Sequence, residues 1–351
     1  MKSSLLAVLT AGTLALSVSA QEDRISLNNG TVIDGVRVTS FDVRELKYSK
    51  GGSSESVSSD RVAKLELGKF SDVYRRALGN RDPDLLLTMA REQVKAKNDL
   101  LGMAGLHRAG TMFLDQGKAA EGVSALEEMQ KAYPEGGLVP EVFRQKFEYY
   151  LGQGAKGAGN AGKVAKAYVD TAQGNAWPSG FSLEGDFFGA MAERMAGGDP
   201  KEYQSKLRAI SSNAATNSPT IANRASVQLA HSLRETKDAD GARKIYEDLA
   251  SKNGVDVNSR AGAYLGLGLL LLDEGVANKE ANRAALLMFL RVRLETRDAW
   301  PSLQAEALYN AILAADKWRG NEYGYIMARC RGVLFNEFGS TEWAQRAKQG
   351  R

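Results

Sequence analysis

The sequence is poor in the side chains that most often carry chemistry. Its 351 residues include one cysteine, Cys330, and two histidines, His107 and His231. A single cysteine excludes an intrachain disulfide framework and a multi-cysteine metal site, and we expect Cys330 to be a small buried residue on a helix. Two histidines leave little material for histidine-based catalysis or zinc binding. The sequence therefore predicts a non-enzymatic protein with no catalytic residue, no metal site and no cofactor.

The chain also lacks a strong excess of charge and, after residue 20, any long apolar run. Lys and Arg together number 46 against 42 Asp and Glu, so a net charge of +4 is spread over a large surface. Nucleic-acid-binding proteins usually carry a denser basic stripe, so we expect no nucleic-acid partner. The best apolar run, Ala263–Leu272, has 10 residues. A membrane-spanning helix needs about 20, so no transmembrane segment is predicted in the mature protein.

The first 20 residues have the three parts of a secretory signal. Lys2 gives a short positive start, the stretch Leu5–Leu16 is apolar, and Val18-Ser19-Ala20 places small residues at the cleavage position. The sequence becomes abruptly polar at Gln21. We therefore predict cleavage after Ala20 and export to the periplasm or cell envelope. No cysteine lies near the cut, so no lipid anchor is expected.

Residues 21–67 have the pattern of a small β module. Asn28-Asn29-Gly30 predicts a hairpin turn, Gly51-Gly52 closes another strand, and Val62–Leu67 reads as a last strand. Four or five short strands can form only a small barrel or roll. The pattern resembles the SH3-like or Sm-like barrels that precede helical repeats in some exported proteins. Basic and acidic residues are balanced here, so the RNA binding of some Sm-like barrels is not expected.

From residue 68 to 351 helical spacing replaces strand alternation. Turn residues recur roughly every 15 to 20 positions, which predicts paired antiparallel helices stacked in a row. Small and large residues in 103–136 and 223–256 match the 34-residue tetratricopeptide (TPR) pattern, as in Leu106, Gly110 and Phe113. Residues 261–295 match it after an insertion, and 140–174 fit loosely. The chain thus resembles a divergent TPR protein, which implies a mainly α fold with a TPR-like α-solenoid behind the small β module.

Two further motifs imitate known ligand-binding loops. The segment Gly157–Val164 nearly spells a phosphate-binding loop, but Val164 replaces the hydroxyl residue that would hold magnesium. We interpret it as a flexible loop between helices. The segment Thr236–Glu247 resembles a calcium-binding loop with a poor first ligand. We interpret it as the turn and acidic first residues of a second helix.

The TPR resemblance also implies a binding groove, because the first helix of each pair lines the concave face in that family. Candidate groove residues are His107, Thr111, Arg224, His231 and Arg234. The last three share roughly one helix face, and two cations with an imidazole would suit an acidic segment or a terminal carboxylate. The favoured function is an exported scaffold that binds a peptide or protein. The alternatives are a structural subunit of an envelope assembly that uses lateral helix faces, and an envelope enzyme with an unrecognised site.

Overall fold

The N-terminal module is a five-stranded antiparallel sheet. A computed structural model of the chain describes residues 22–28, 30–274, 278–339 and 341–350. The predicted signal segment and its cleavage point lie outside the described residues. The strands are β1 (Asp23–Leu27), β2 (Val32–Phe41), β3 (Glu45–Lys50), β4 (Ser53–Ser58) and β5 (Val62–Glu66), in the order β4-β3-β2-β1-β5.

Alternation along the strands creates the core of this module. Buried side chains occupy alternate positions in β1 and β3, as at Ile25 and Leu46, and at Val36 and Val38 of β2. This is the pattern of a sheet with one packed face. Gly51 and Gly52 join β3 to β4 with φ values of +57° and +90°, which glycine adopts without a Cβ penalty. The predicted small β module is confirmed.

The rest of the described chain is helical. The helices are α1 (Asp72–Gly79), α2 (Pro83–Lys95), α3 (Asp99–Asp115), α4 (Ala119–Ala132), α5 (Val139–Leu151), α6 (Ala158–Gly174), α7 (Ser179–Met195), α8 (Pro200–Ala214), α9 (Pro219–Glu235), α10 (Ala239–Ser251), α11 (Val257–Glu274), α12 (Lys279–Glu295), α13 (Pro301–Trp318), α14 (Tyr323–Glu337) and α15 (Glu342–Lys348). Short connections make sequential helices antiparallel neighbours. The predicted mainly α fold of antiparallel helix pairs is confirmed.

Six helix pairs of the described chain stack in succession through their first helices. The first helices α3, α5, α7, α9, α11 and α13 contact one another in succession, besides contacting their own second helices. We call these six helices the first-helix layer. They begin at residues 99, 139, 179, 219, 257 and 301, so the repeat is 38 to 44 residues long. This period exceeds the 34 residues of the TPR pattern, and membership of the TPR family stays a prediction.

Small residues set the close approach of the paired helices α3 and α4. A Cβ added to Gly110 on α3 would lie 2.7 Å from Cγ of Leu126 on α4. A Cβ added to Gly122 on α4 would lie 2.7 Å from the Leu114 side chain on α3, at the same helix crossing. Backbone-to-backbone packing of this kind leaves no room for a larger residue at either position.

The prediction of a flexible loop at Gly157–Val164 is wrong. The described connection spans residues 152–157, and α6 begins at Ala158, so most of the segment is helical. Ala161 and Val164 are buried against the core, and this tertiary packing outweighs the low helix propensity of the local glycines. The prediction for Thr236–Glu247 is confirmed. The Asp238 carboxylate caps α10 by accepting a 3.0 Å hydrogen bond from the backbone N–H of Gly241.

The β module docks on the connection between α4 and α5. The N–H of Val43 donates to the carbonyl of Glu135 at 3.0 Å, and the N–H of Gly137 donates to the carbonyl of Phe41 at 3.1 Å. Arg44 pairs with Glu135 at 3.1 Å and also donates to the carbonyl of Asn175 at 3.0 Å. The sheet therefore shares hydrogen bonds and a continuous core with the first repeats.

The most apolar segment of the sequence is a core helix. Among the residues of α11 that are buried are Ala263, Leu265, Leu267 and Leu270. Neighbouring helices α9, α10, α12 and α13 surround it. Within the described parts of the chain, no helix is long and apolar enough to cross a membrane.

Candidate binding pocket on the first-helix layer

A cavity of about 60 Å³ lies where α5, α7, α9, α11 and α13 meet. Its walls are mostly apolar, and several of its lining residues, including Leu151, Met191 and Trp300, are partly exposed. The Phe147 and Phe188 rings stack with their centroids 4.1 Å apart. Clefts of this kind, apolar with a few polar groups, are the usual form of binding sites in proteins.

The repeat register builds this pocket. Lining residues of α5, α7 and α9 occur 40 positions apart along the chain, so equivalent positions of successive repeats meet there. The three sets are Phe147, Phe187 and Val227; Glu148, Phe188 and Gln228; and Leu151, Met191 and His231. Trp300 closes one side, and its backbone N–H donates to the Asn258 side chain at 2.8 Å.

A buried charge cluster lies next to the pocket and centres on Glu184 of α7, which is fully buried. Its carboxylate accepts hydrogen bonds from Arg144 of α5 at 2.9 Å and from Arg224 of α9 at 3.0 Å. The Tyr168 hydroxyl donates to the same carboxylate at 2.8 Å. Arg144 also donates to Glu141 at 2.9 Å. Buried charges are tolerated when they are paired in this way.

Arg224 joins this cluster to the pocket. Its Nε lies 3.9 Å from Oδ1 of Asp256, which is itself buried. Its guanidinium also lies 5.0 Å from the ring centroid of Trp300, in a cation–π contact. The guanidinium is therefore neutralised by two carboxylates before any ligand arrives.

Glu148 is the one acidic residue among those lining the pocket. Its carboxyl has no hydrogen-bond or ion-pair partner among the described residues. Burial, with the nearby Glu141 carboxylate, raises the pKa of Glu148 to about 8, although Arg224 and Arg144 act in the opposite direction. At pH 7 this side chain is therefore mainly protonated in the empty pocket.

Two of the predicted groove residues line this pocket, Arg224 and His231. The His231 Nδ1 is 2.6 Å from the Tyr246 hydroxyl, and burial with the nearby Arg234 cation lowers the pKa of the imidazole to about 4. His231 is thus neutral at pH 7. Arg234 forms an ion pair with Asp273 of α11 at 2.9 Å. Together the three residues do not present the free cations that an acidic segment would require.

His107 and Thr111 lie apart from this pocket, on α3. Thr111 donates its hydroxyl hydrogen bond to the backbone carbonyl of His107 at 3.0 Å, within the same helix. Burial lowers the pKa of His107, and its Nε2 has no hydrogen-bond partner among the described residues. Cys330, on α14, is free and buried, as the sequence predicted.

Sequence reasoning did not identify Glu148, Glu184 or the aromatic walls. A usable signal exists, because Arg144, Glu184 and Arg224 are spaced by 40 residues and carry alternating charge. In a stacked repeat this spacing brings opposite charges together on adjacent first helices. A 34-residue repeat does not align these three positions, so the TPR pattern did not reveal the 40-residue spacing of the charges.

Similarity to known proteins adds nothing to this picture. Comparison of the sequence with protein-family models finds no match, and comparison with curated proteins finds no similar sequence.

Proposed function

We propose that the chain is an exported, non-enzymatic scaffold that binds a protein or peptide partner through the face formed by its first-helix layer. The pocket at Phe147, Phe188 and Trp300 is the observation that carries this proposal. Protein interfaces are organised around a few buried anchors that enter well-formed apolar pockets. A site assembled from five successive first helices would anchor one side chain, while the neighbouring repeats contact the flanking chain.

The buried charges fit a binding role better than a catalytic one. Arg144, Glu184 and Arg224 satisfy one another, so none of them is free to transfer a proton to a substrate. Within the described residues no group of three or more acidic, histidine or cysteine side chains could hold a metal ion. The cluster instead fixes the relative positions of α5, α7 and α9, which are three of the pocket walls.

A second candidate is docking in an envelope assembly through the second helices. Leu287 and Leu294 on α12 are 51% and 78% exposed, and Tyr325 on α14 is 70% exposed. Two leucines seven residues apart lie on one helix face. Exposed apolar side chains that lie together on one surface often mark a site of contact with another protein.

Site-specific photocrosslinking separates these two functions. A photoreactive phenylalanine analogue is placed at Gln228 in the pocket, at Leu294 on the second-helix face, or at exposed Arg208 on α8 as a control. We expect a discrete protein adduct in cells from position 228 and none from position 208. Adducts from position 294 alone would favour the lateral-face function, and the absence of adducts from both would contradict a binding scaffold.

A further inference from the structure

We propose that the pocket receives a lysine side chain of the protein partner, with the Glu148 carboxylate as the counter-ion of its ammonium group. This inference rests on the proposed binding function and adds the chemistry of the anchoring residue. It replaces the acidic segment expected from the sequence. Three features carry it: the balance of charge, the size of the cavity, and the aromatic walls.

The charge around the pocket is acidic once its pairs are counted. Arg144 and Arg224 are the cations, and both donate to Glu184. Two more carboxylates, Glu141 and Asp256, complete the cluster at 2.9 Å and 3.9 Å from these guanidinium groups. Three carboxylates therefore surround two guanidinium groups.

Glu148 adds a fourth carboxyl group, which has no ion-pair or hydrogen-bond partner in the part of the chain that the structure describes. A cation that enters the pocket gains this counter-ion together with the surplus negative charge of the cluster. A partner carboxylate would meet the surplus negative charge of the cluster, so it would be repelled. His231 adds no positive charge at neutral pH, because its imidazole is neutral there.

The cavity size selects a compact cation. A volume of about 60 Å³ is roughly four times the 10–15 Å³ that a single water molecule needs, so it admits the end of a single side chain. The lysine ammonium is a compact point charge, whereas the guanidinium of arginine is a wider planar group. Phe147, Phe188 and Trp300 offer apolar contact for the lysine methylenes.

Binding should be coupled to proton release from Glu148. The charged groups that act on this carboxyl are Glu141, Arg144, Glu184 and Arg224, and their net effect with burial places its pKa at about 8 in the empty pocket. Lysine is fully protonated below pH 9. Glu148 must therefore release its proton before its carboxylate can act as the counter-ion of the bound ammonium group. We expect lysine binding to tighten about tenfold between pH 6 and pH 8.

The test is a titration of the full chain with four pentapeptides that differ only in a central lysine, arginine, norleucine or glutamate between glycine and serine residues. Ligand-observed NMR at pH 8 gives the affinities. We expect the lysine peptide to bind with a Kd near or below about 1 mM, and the other three at least about tenfold more weakly. Free n-butylamine serves as a fifth probe and should also bind more weakly, because it lacks the backbone contacts.

The variant Glu148→Gln separates a counter-ion from a merely apolar pocket. Glutamine resembles the protonated acid that already occupies the empty pocket, so the fold is kept, and circular dichroism verifies this. We expect roughly 10- to 100-fold weaker lysine binding, no change for norleucine, and loss of the pH dependence. The matched control is Glu193→Gln, an exposed carboxyl on α7.

Several results would overturn the assignment. These are equal binding of the lysine and norleucine peptides, equal binding of the arginine peptide, tighter binding of butylamine than of the lysine peptide, no binding of any peptide, and unchanged lysine binding by Glu148→Gln. If one of these results is obtained and crosslinking from Gln228 is still observed, the scaffold function is retained and only the lysine assignment is rejected. Loss of that crosslinking would reject the scaffold itself.

Discussion

Glu184 is the residue whose removal should destabilise the helical repeat most directly. The change Glu184→Gln keeps the shape of the side chain and removes one negative charge from a fully buried position. Glutamine can accept through one oxygen only, and its NH₂ group would face the donors of Arg144 and Arg224. The hydroxyl of Tyr168 would compete for the same remaining acceptor.

The expected cost follows from the surviving contacts. Removal of one partner from a buried ion pair costs about 3–5 kcal/mol, because it leaves an uncompensated charge. Arg144 keeps Glu141 at 2.9 Å, and Arg224 keeps Asp256 at 3.9 Å. We therefore expect a loss near the lower end, about 3 kcal/mol, in the free energy of unfolding. This is a large part of the 5–15 kcal/mol typical of folded proteins.

Urea unfolding at pH 7, followed by far-UV circular dichroism, measures this loss as a lower midpoint at an unchanged slope. The control variant Glu193→Gln removes an exposed partner of Lys206 and should cost less than about 1 kcal/mol. A cost below about 1 kcal/mol for Glu184→Gln would refute the view that this cluster stabilises the layer.

The remaining predictions concern pH, packing and processing. The raised pKa of Glu148, about 8 against 4.5 in the unfolded chain, means that the folded state holds its proton longer, so stability falls as pH rises from 4.5 to 8. Its share of that fall is up to about 4 kcal/mol, and urea unfolding at several pH values should show that Glu148→Gln removes it. Gly110→Ala should lower stability by about 1–3 kcal/mol in the same assay, because the new methyl group overlaps Leu126. Mass analysis of the secreted protein should find Gln21 at its N-terminus; an intact Met1 would contradict the predicted export signal. A chain shortened to residues 68–351 should keep cooperative helical unfolding in circular dichroism, because the stability of stacked repeats is mostly nearest-neighbour.

Local features of the sequence determined the class of the fold and many element ends. Strand alternation around Ile25 and Leu46 forms a sheet face, because side chains alternate sides along any strand. Aspartates that precede helices cap them, as this residue type commonly does. Asp82 and Asp238 each accept a backbone hydrogen bond at 3.0 Å. Gly110 and Gly122 lie at the crossing of α3 and α4. Each of these features acts within one element or one helix pair, so the sequence around it contains the necessary information.

The chemistry of the pocket was decided by contacts between residues about 40 positions apart. In the sequence Arg224 and Arg234 read as free cations beside a titratable His231. In the structure, Glu184 and Asp273 from neighbouring first helices neutralise them, and burial keeps the imidazole uncharged. The charge and pKa of a side chain depend on what surrounds it in space. Only the stacking of the repeats defines those surroundings, and it pairs both cations of the predicted groove with carboxylates.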